Sequence, residues 1–152
     1  MTVDGKDTMH ERLILQSRMS NLAKVPPWIE GLAARHAIPD DMQFAMNLCL
    51  EEALSNIIRH GYSSEPDHSF TIQFSSPQEN YFVFVVEDDA PPFNPVDSPE
   101  LPAVSSLDET HVGGQGIRLM RQFADALEYE PTPTGNRLSI GFSTAKSAIA
   151  QG

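Results

Sequence analysis

Apolar residues recur along the chain with two periods, and the switch between them marks out strands and helices. Glu11 to Ser17 reads as a modest strand. From about Ala23 to Ala37, Val25, Ile29, Leu32 and Ala33 fall at helical spacing, with Pro26 and Pro27 confined to the first turn, where proline is tolerated. Pro39, Asp40 and Asp41 predict a break and an N-cap. The clearest helix follows, Asp41 to about His60. Its stripe comprises Phe44, Ala45, Leu48, Cys49, Ala53, Leu54, Ile57 and Ile58, and Gly61 stands where a C-terminal cap belongs.

Beyond that point the period falls to two. Ser69–Ser75 alternates through Phe70, Ile72 and Phe74 and predicts a half-buried strand. Asn80–Glu87 is apolar on both faces and predicts a central one. Asp88 to about Val112 has no regular pattern and holds Pro91, Pro92, Pro95, Pro99 and Pro102. A loop of that length within a compact domain is usually functional or disordered. Gly113–Gly116 then opens a short helix with Ile117, Leu119, Met120 and Phe123 as apolar positions. Strands Ala126–Glu130 and Asn136–Ser143 meet across a turn at Pro131–Gly135. The order β-α-α-β-β-loop-α-β-β predicts an α+β, two-layer sandwich, a mostly antiparallel sheet with helices on one face. The expected division is a tail over 1–9, one domain over 10–145 and a tail over 146–152.

Composition narrows the function classes. The 152 residues suit one domain with a sizeable core. Net charge is −11, and it is unevenly placed: from His60 to Ile117 there are ten acids and no Lys or Arg. A chain without a basic face is poorly suited to nucleic acid or to an anionic membrane. Cys49 is the sole cysteine, which excludes a disulfide framework, and its apolar neighbours predict a buried thiol. Met1–Arg12 lacks the apolar stretch of a signal peptide, and the longest apolar run, Phe82–Val86, is far too short to span a bilayer. The expectation is a soluble, cytoplasmic protein.

Three segments carry candidate chemistry. Glu52 and Asn56 lie four apart, so they share a helical face. A glutamate there can activate a hydroxyl or water, and an asparagine oxygen can hold a hard cation such as Mg²⁺. Each also reads as the polar edge of an amphipathic helix. Glu87-Asp88-Asp89 follows the most apolar strand, where a carboxylate can read a polar ligand edge or serve a solvated turn. Gly113-Gly114-Gln115-Gly116 precedes a helix, and unshielded backbone N–H groups at such a start bind phosphate.

Taken in order, these segments form a specific pattern. A helix with Glu52-Ala53-x-x-Asn56 ends in His60-Gly61-Tyr62; a strand ends in Asp88-Asp89-x-x-Pro92-Phe93; a long loop ends in Gly113-Gly114-x-Gly116-Ile117. This resembles the ATP-binding anti-sigma factors, the serine-kinase branch of the histidine-kinase-like (GHKL, Bergerat-type) ATPase superfamily, over roughly His10 to Ser143. The resemblance implies ATP held under a lid at about Asn94–Val112. It implies Glu52 as general base, Asn56 as the Mg²⁺ ligand, Asp88 as the adenine-reading carboxylate, and Gly114 and Gly116 as the glycines nearest the phosphates. Arg118, just beyond them, is a candidate for neutralising phosphate charge, or a surface arginine. His60 could act near the phosphates or pack at the helix end.

Kinases of this family phosphorylate a serine on an anti-anti-sigma (STAS-type) partner and alternatively sequester a sigma factor. Homodimerisation is also in keeping with the resemblance. The chain departs from the superfamily's Asp-x-Gly-x-Gly box at Ala90 and Pro92, and from a Gly-Thr pair on the last strand, where Gly135 is followed by Asn136 and Arg137. The altered glycines favour a second expectation, a non-catalytic ATP-binding or partner-binding regulatory module on the same fold. A true histidine kinase is not expected, because the chain leaves no room for a dimerisation and phosphoacceptor domain.

Overall fold

A computed structural model describes residues 11–62, 68–91, 118 and 120–144. Strand β1 (Glu11–Gln16) is followed by a 3₁₀ segment (Met19–Lys24) that sequence periodicity did not separate from the helix after it. Helix α1 (Val25–His36) starts on its two prolines and buries Val25, Ile29, Leu32 and Ala33, the four positions its spacing predicts. It ends at Ala37 in the left-handed region, φ 56°, with the Ala37 N–H donating to the Ala33 carbonyl.

Helix α2 (Asp40–Asn56) takes Pro39 as its N-cap. Asp40 and Asp41 make no side-chain cap; they occupy the first turn, where a carboxylate favours the positive end of the helix dipole. The buried face also differs from the predicted stripe. Met46 and Leu50 are wholly buried, while Phe44 is 60% exposed and Leu48 only partly covered. A π turn (Ile57–Gly61) continues α2, so Gly61 is not a left-handed cap; Tyr62 closes the turn with its N–H on the Ile57 carbonyl at 2.9 Å.

The remaining strands are β2 (Ser69–Gln78), β3 (Tyr81–Asp88), β4 (Ala126–Thr132) and β5 (Gly135–Ser143), with residues 120–123 helical before β4. All pair antiparallel in one five-stranded sheet of order β1-β2-β3-β5-β4. The turn between β2 and β3 is Glu79-Asn80, with Asn80 at φ 64° instead of inside the strand. Proline 131 belongs to β4, an edge strand, where its missing N–H costs no ladder bond.

Strand β3 is central, as predicted. One face (Phe82, Phe84, Val86) is buried, while Tyr81, Val83 and Val85 on the other are only partly covered. The inward residues of β2, β3 and β5 join those of α1 and α2 in one core. Phe84 stands at its centre, meeting the Trp28 ring edge-on at 5.9 Å and the Phe142 ring at 6.1 Å. Cys49 is buried, and desolvation pushes its thiol up to about 12, which makes it an inert core residue.

The register sets the site. Pairing of β3 with β5 places Asp88 opposite Asn136, at the end of the sheet beside the π turn of α2. A side chain on Gly135 would lie 1.9 Å from the Asp88 carbonyl oxygen, so only glycine permits this approach of β5 to the end of β3.

Candidate nucleotide site

Helix α2 delivers the first half of the site. Its last turns pack Ala53 and Leu54 into the core, which leaves Glu52 and Asn56 on a neighbouring face. Asn56 is 4% exposed. Its Oδ1 and the Glu52 Oε2 are both buried with no hydrogen-bond partner among the described residues. Natural structures rarely leave such atoms orphaned, and an orphan of this kind points to a ligand, water or ion. Burial raises the Glu52 carboxyl above its ordinary pKa; the nearby Arg59 charge opposes this and Glu51 adds to it.

The second half comes from the ends of β3 and β5. Asp88 Oδ1 accepts the Ala90 N–H at 2.9 Å and the Asn136 side-chain amide at 2.8 Å. Burial pushes this carboxyl up as well, the two hydrogen bonds pull it down, and Asp89 beside it pushes it up. The Asn136 amide also donates to the carbonyls of Ala90 and Pro91, each at 3.2 Å. Its oxygen accepts the Tyr129 hydroxyl at 2.5 Å. Asn136 thus ties β4, β5 and the turn after β3 into one polar network at the floor of the site.

Between the halves lies a cavity of about 30 Å³, room for about one water, lined by Ala53, Asn56, Ile57, Gly61, Asp88, Ala90, Tyr129, Asn136 and Leu138. The Ala90 methyl turns toward the helix end. A side chain on Gly61 would stand 3.0 Å from it, so the glycine missing from position 90 is matched by one at 61. Asn56 and Asp88 therefore face one apolar-walled space, with Glu52 one turn behind Asn56.

Arg118 is helical and exposed, and it is not among the residues lining this cavity. His60 lies on the π turn and is exposed, and it is not among the residues lining this cavity. Gly114, Gly116, Pro92 and the segment 94–112 lie outside the described residues. Three contributors escaped the sequence reading in their roles: Asn136, noted only as a departure, and Tyr129 and Tyr62. A signal for Asn136 existed. It begins the inward series Asn136, Leu138, Ile140, Phe142, where a polar residue needs a partner.

The donor chemistry suits Mg²⁺, which takes hard oxygens and is commonly held by one or two protein groups plus substrate phosphates. The buried, unpartnered Asn56 Oδ1 is such an oxygen. Among the described residues there is no group of three or more His, Cys, Asp or Glu placed to hold a metal ion. None of the described helices is long and apolar enough to cross a membrane.

Residues 15–142 match the Histidine kinase-like ATPase domain. The chain is 32% identical over 114 residues to Serine/threonine-protein kinase BtrW of Bordetella bronchiseptica, covering 74% of this chain and 79% of that protein. Among solved structures, the blue-light activated histidine kinase EL346 of Erythrobacter litoralis matches with TM-score 0.52 at 19% identity, over 86% of this chain and 42% of that one. Its separately solved histidine kinase domain matches with TM-score 0.48 at 20% identity, over 86% and 63%. The chain thus spans less than two thirds of the length of either solved structure, and at 19% identity the likeness to the full-length kinase concerns the fold. With the motif order, the five-stranded sandwich and a serine/threonine-protein kinase among its relatives, the chain belongs to the histidine kinase-like ATPase domain family.

Proposed function

We propose that this domain is an ATP- and Mg²⁺-dependent protein serine/threonine kinase acting as an anti-sigma regulatory factor in the cytoplasm. It phosphorylates an anti-anti-sigma (STAS-type) partner and sequesters a sigma factor, and it works as a homodimer. The observation that carries the kinase reading is the pair of buried, unpartnered oxygens one helical turn apart on Glu52 and Asn56, with Asn56 lining the space that Asp88 also lines.

On this reading each residue has a task. Asp88 accepts the exocyclic amine of adenine, and Ala53, Ile57 and Leu138 offer the apolar walls a purine needs. Asn56 Oδ1 holds the cation. Mg·ATP, when bound, supplies the transferable phosphoryl group and offsets its charge. Gly114 and Gly116 present backbone N–H groups to the phosphates, and Arg118 adds a positive charge. Glu52 Oε2 takes the proton of the incoming serine hydroxyl; desolvation raises its proton affinity, which improves it as a base.

One observation favours the alternative, a non-catalytic ATP-binding or partner-binding module. Asp88 Oδ1 is already engaged by Asn136 and Ala90, and the cavity beside it is small. Phosphoryl transfer separates the two. Partners captured from the native host, incubated with Mg·ATP and mapped for phosphosites, should carry a new phosphoserine. Glu52→Ala should bind ATP within about threefold of wild type and lose transfer by at least ~10²-fold, the usual contribution of a general base. Retained transfer in that variant overturns the assignment of the base; absence of transfer by wild type favours the non-catalytic module.

A further inference from the structure

The two halves of the site sit on different elements, and something must fix their spacing. Tyr62 is placed to do so. It is the first residue after the π turn that extends α2, the helix bearing Glu52 and Asn56, and it is 4% exposed. Its hydroxyl donates to Asp89 Oδ1 at 2.6 Å and accepts the Asp89 backbone N–H at 3.1 Å. Asp89 directly follows Asp88. Next to it the Ala90 methyl closes on Gly61, so the turn after β3 meets the helix end at two adjacent points. The Tyr62 ring is held in turn by parallel stacking on His68, 4.2 Å between centroids and 4° between planes.

Core packing alone would not require this arrangement. Phenylalanine would fill the same volume, yet the hydroxyl here makes a reciprocal pair of bonds with one residue of the turn, and it also lies 3.3 Å from the Ser69 carbonyl of β2. Burial and the Asp89 carboxylate both raise the phenol's pKa, so it stays a donor throughout the working range. Asp89 itself is largely exposed; its side chain points to the tyrosine rather than into the cavity, whose lining includes Asp88 and Ala90 but not Asp89.

We propose that Tyr62 and Asp89 form a joint that sets the position of Asp88 relative to Asn56. Tyr62 is thus a positioning residue for adenine recognition, with no contact to the nucleotide. The proposal rests on the nucleotide-binding reading above. It differs from a merely structural role in what it predicts. Without the joint, the Asp88 turn shifts against the helix, and ATP affinity and the preference for ATP over GTP should fall together.

The test is a double-mutant cycle on the full chain, read by titration of a fluorescent ATP analogue with Mg²⁺ and by competition with ATP and GTP. Tyr62→Phe and Asp89→Ala should each weaken ATP binding about tenfold, the scale of a lost hydrogen bond to a charged group, and narrow the ATP/GTP ratio. The hydroxyl–carboxylate bond is lost in both changes, so the two losses should be clearly less than additive in the double variant, although Asp89→Ala leaves the hydroxyl its backbone partners at Asp89 and Ser69. Asp89→Asn keeps an acceptor for the hydroxyl and should stay within about threefold of wild type. Asp89 is a surface residue, so its variants report even where Tyr62→Phe lowers stability. ATP binding and discrimination unchanged in both single variants, or losses that add in the double variant, overturn the joint alone. Failure of wild type to bind any ATP overturns the parent reading and the joint with it.

Discussion

Burial raises the carboxyl pKa of both Glu52 and Asp88, and the consequence for stability has a definite sign. A carboxyl whose folded-state pKa lies above its unfolded value favours the fold when protonated. That contribution is complete below the unfolded pKa and is lost as pH rises through the folded one. Once ionised, both are carboxylates that would be more comfortable in water. Glu52→Gln should raise the melting temperature at pH 7 to 8, and the gain should shrink to nothing as pH falls below the ordinary glutamate value of 4.5. A melting series across that range checks it; equal melting temperatures at pH 8 would contradict it. A stabilising change at a position needed for chemistry is the trade expected of a working site.

Local spacing made some elements legible and left others hidden. Helix α1 was readable because its four buried residues recur at helical intervals and its prolines can stand only at the start. The buried face of α2 was not. That helix is apolar around most of its circumference, so Phe44 and Leu48 competed with Met46 and Leu50, and the approach of the sheet decided between them. The π turn was invisible for a related reason: a change in backbone hydrogen-bond spacing leaves no local sequence signature. The motif residues Glu52, Asn56 and Asp88 were found from order and spacing. Tyr129, Asn136 and Tyr62 joined them only through long-range pairing, which a single strand's pattern does not reveal.

Gly135 belongs to the same scale, because it governs how β5 meets β3. A methyl group there would stand 1.9 Å from the Asp88 carbonyl oxygen, a backbone atom that cannot turn aside. Gly135→Ala should cost about 1–3 kcal/mol or more, as overpacking does, measured by urea denaturation. Nucleotide binding should fall with it, since Asp88 must move. Wild-type stability and binding in this variant would show that the approach is looser than described.

Across the whole chain, the net charge of −11 is concentrated between His60 and Ile117, the stretch that includes β3 and its Asp88. Such a field repels an anionic nucleotide, and in the proposed function the cation and backbone N–H groups offset the phosphates. The same field attracts basic protein surfaces and speeds their encounter. Association with a captured partner should slow by about tenfold between low and high salt, read by stopped-flow mixing. A flat salt dependence contradicts steering.

The sandwich itself is shared with the histidine kinase-like ATPase domains; the central claim concerns what the end of the sheet holds. Calorimetric titration of Mg·ATP into the wild-type chain and into Asn56→Ala tests it most directly. The account predicts saturable binding by wild type that disappears when Mg²⁺ is chelated, and at least ~10-fold weaker binding by Asn56→Ala, as loss of a metal ligand demands. No detectable heat from wild type at millimolar Mg·ATP, or binding indifferent to both Mg²⁺ and Asn56, would contradict it.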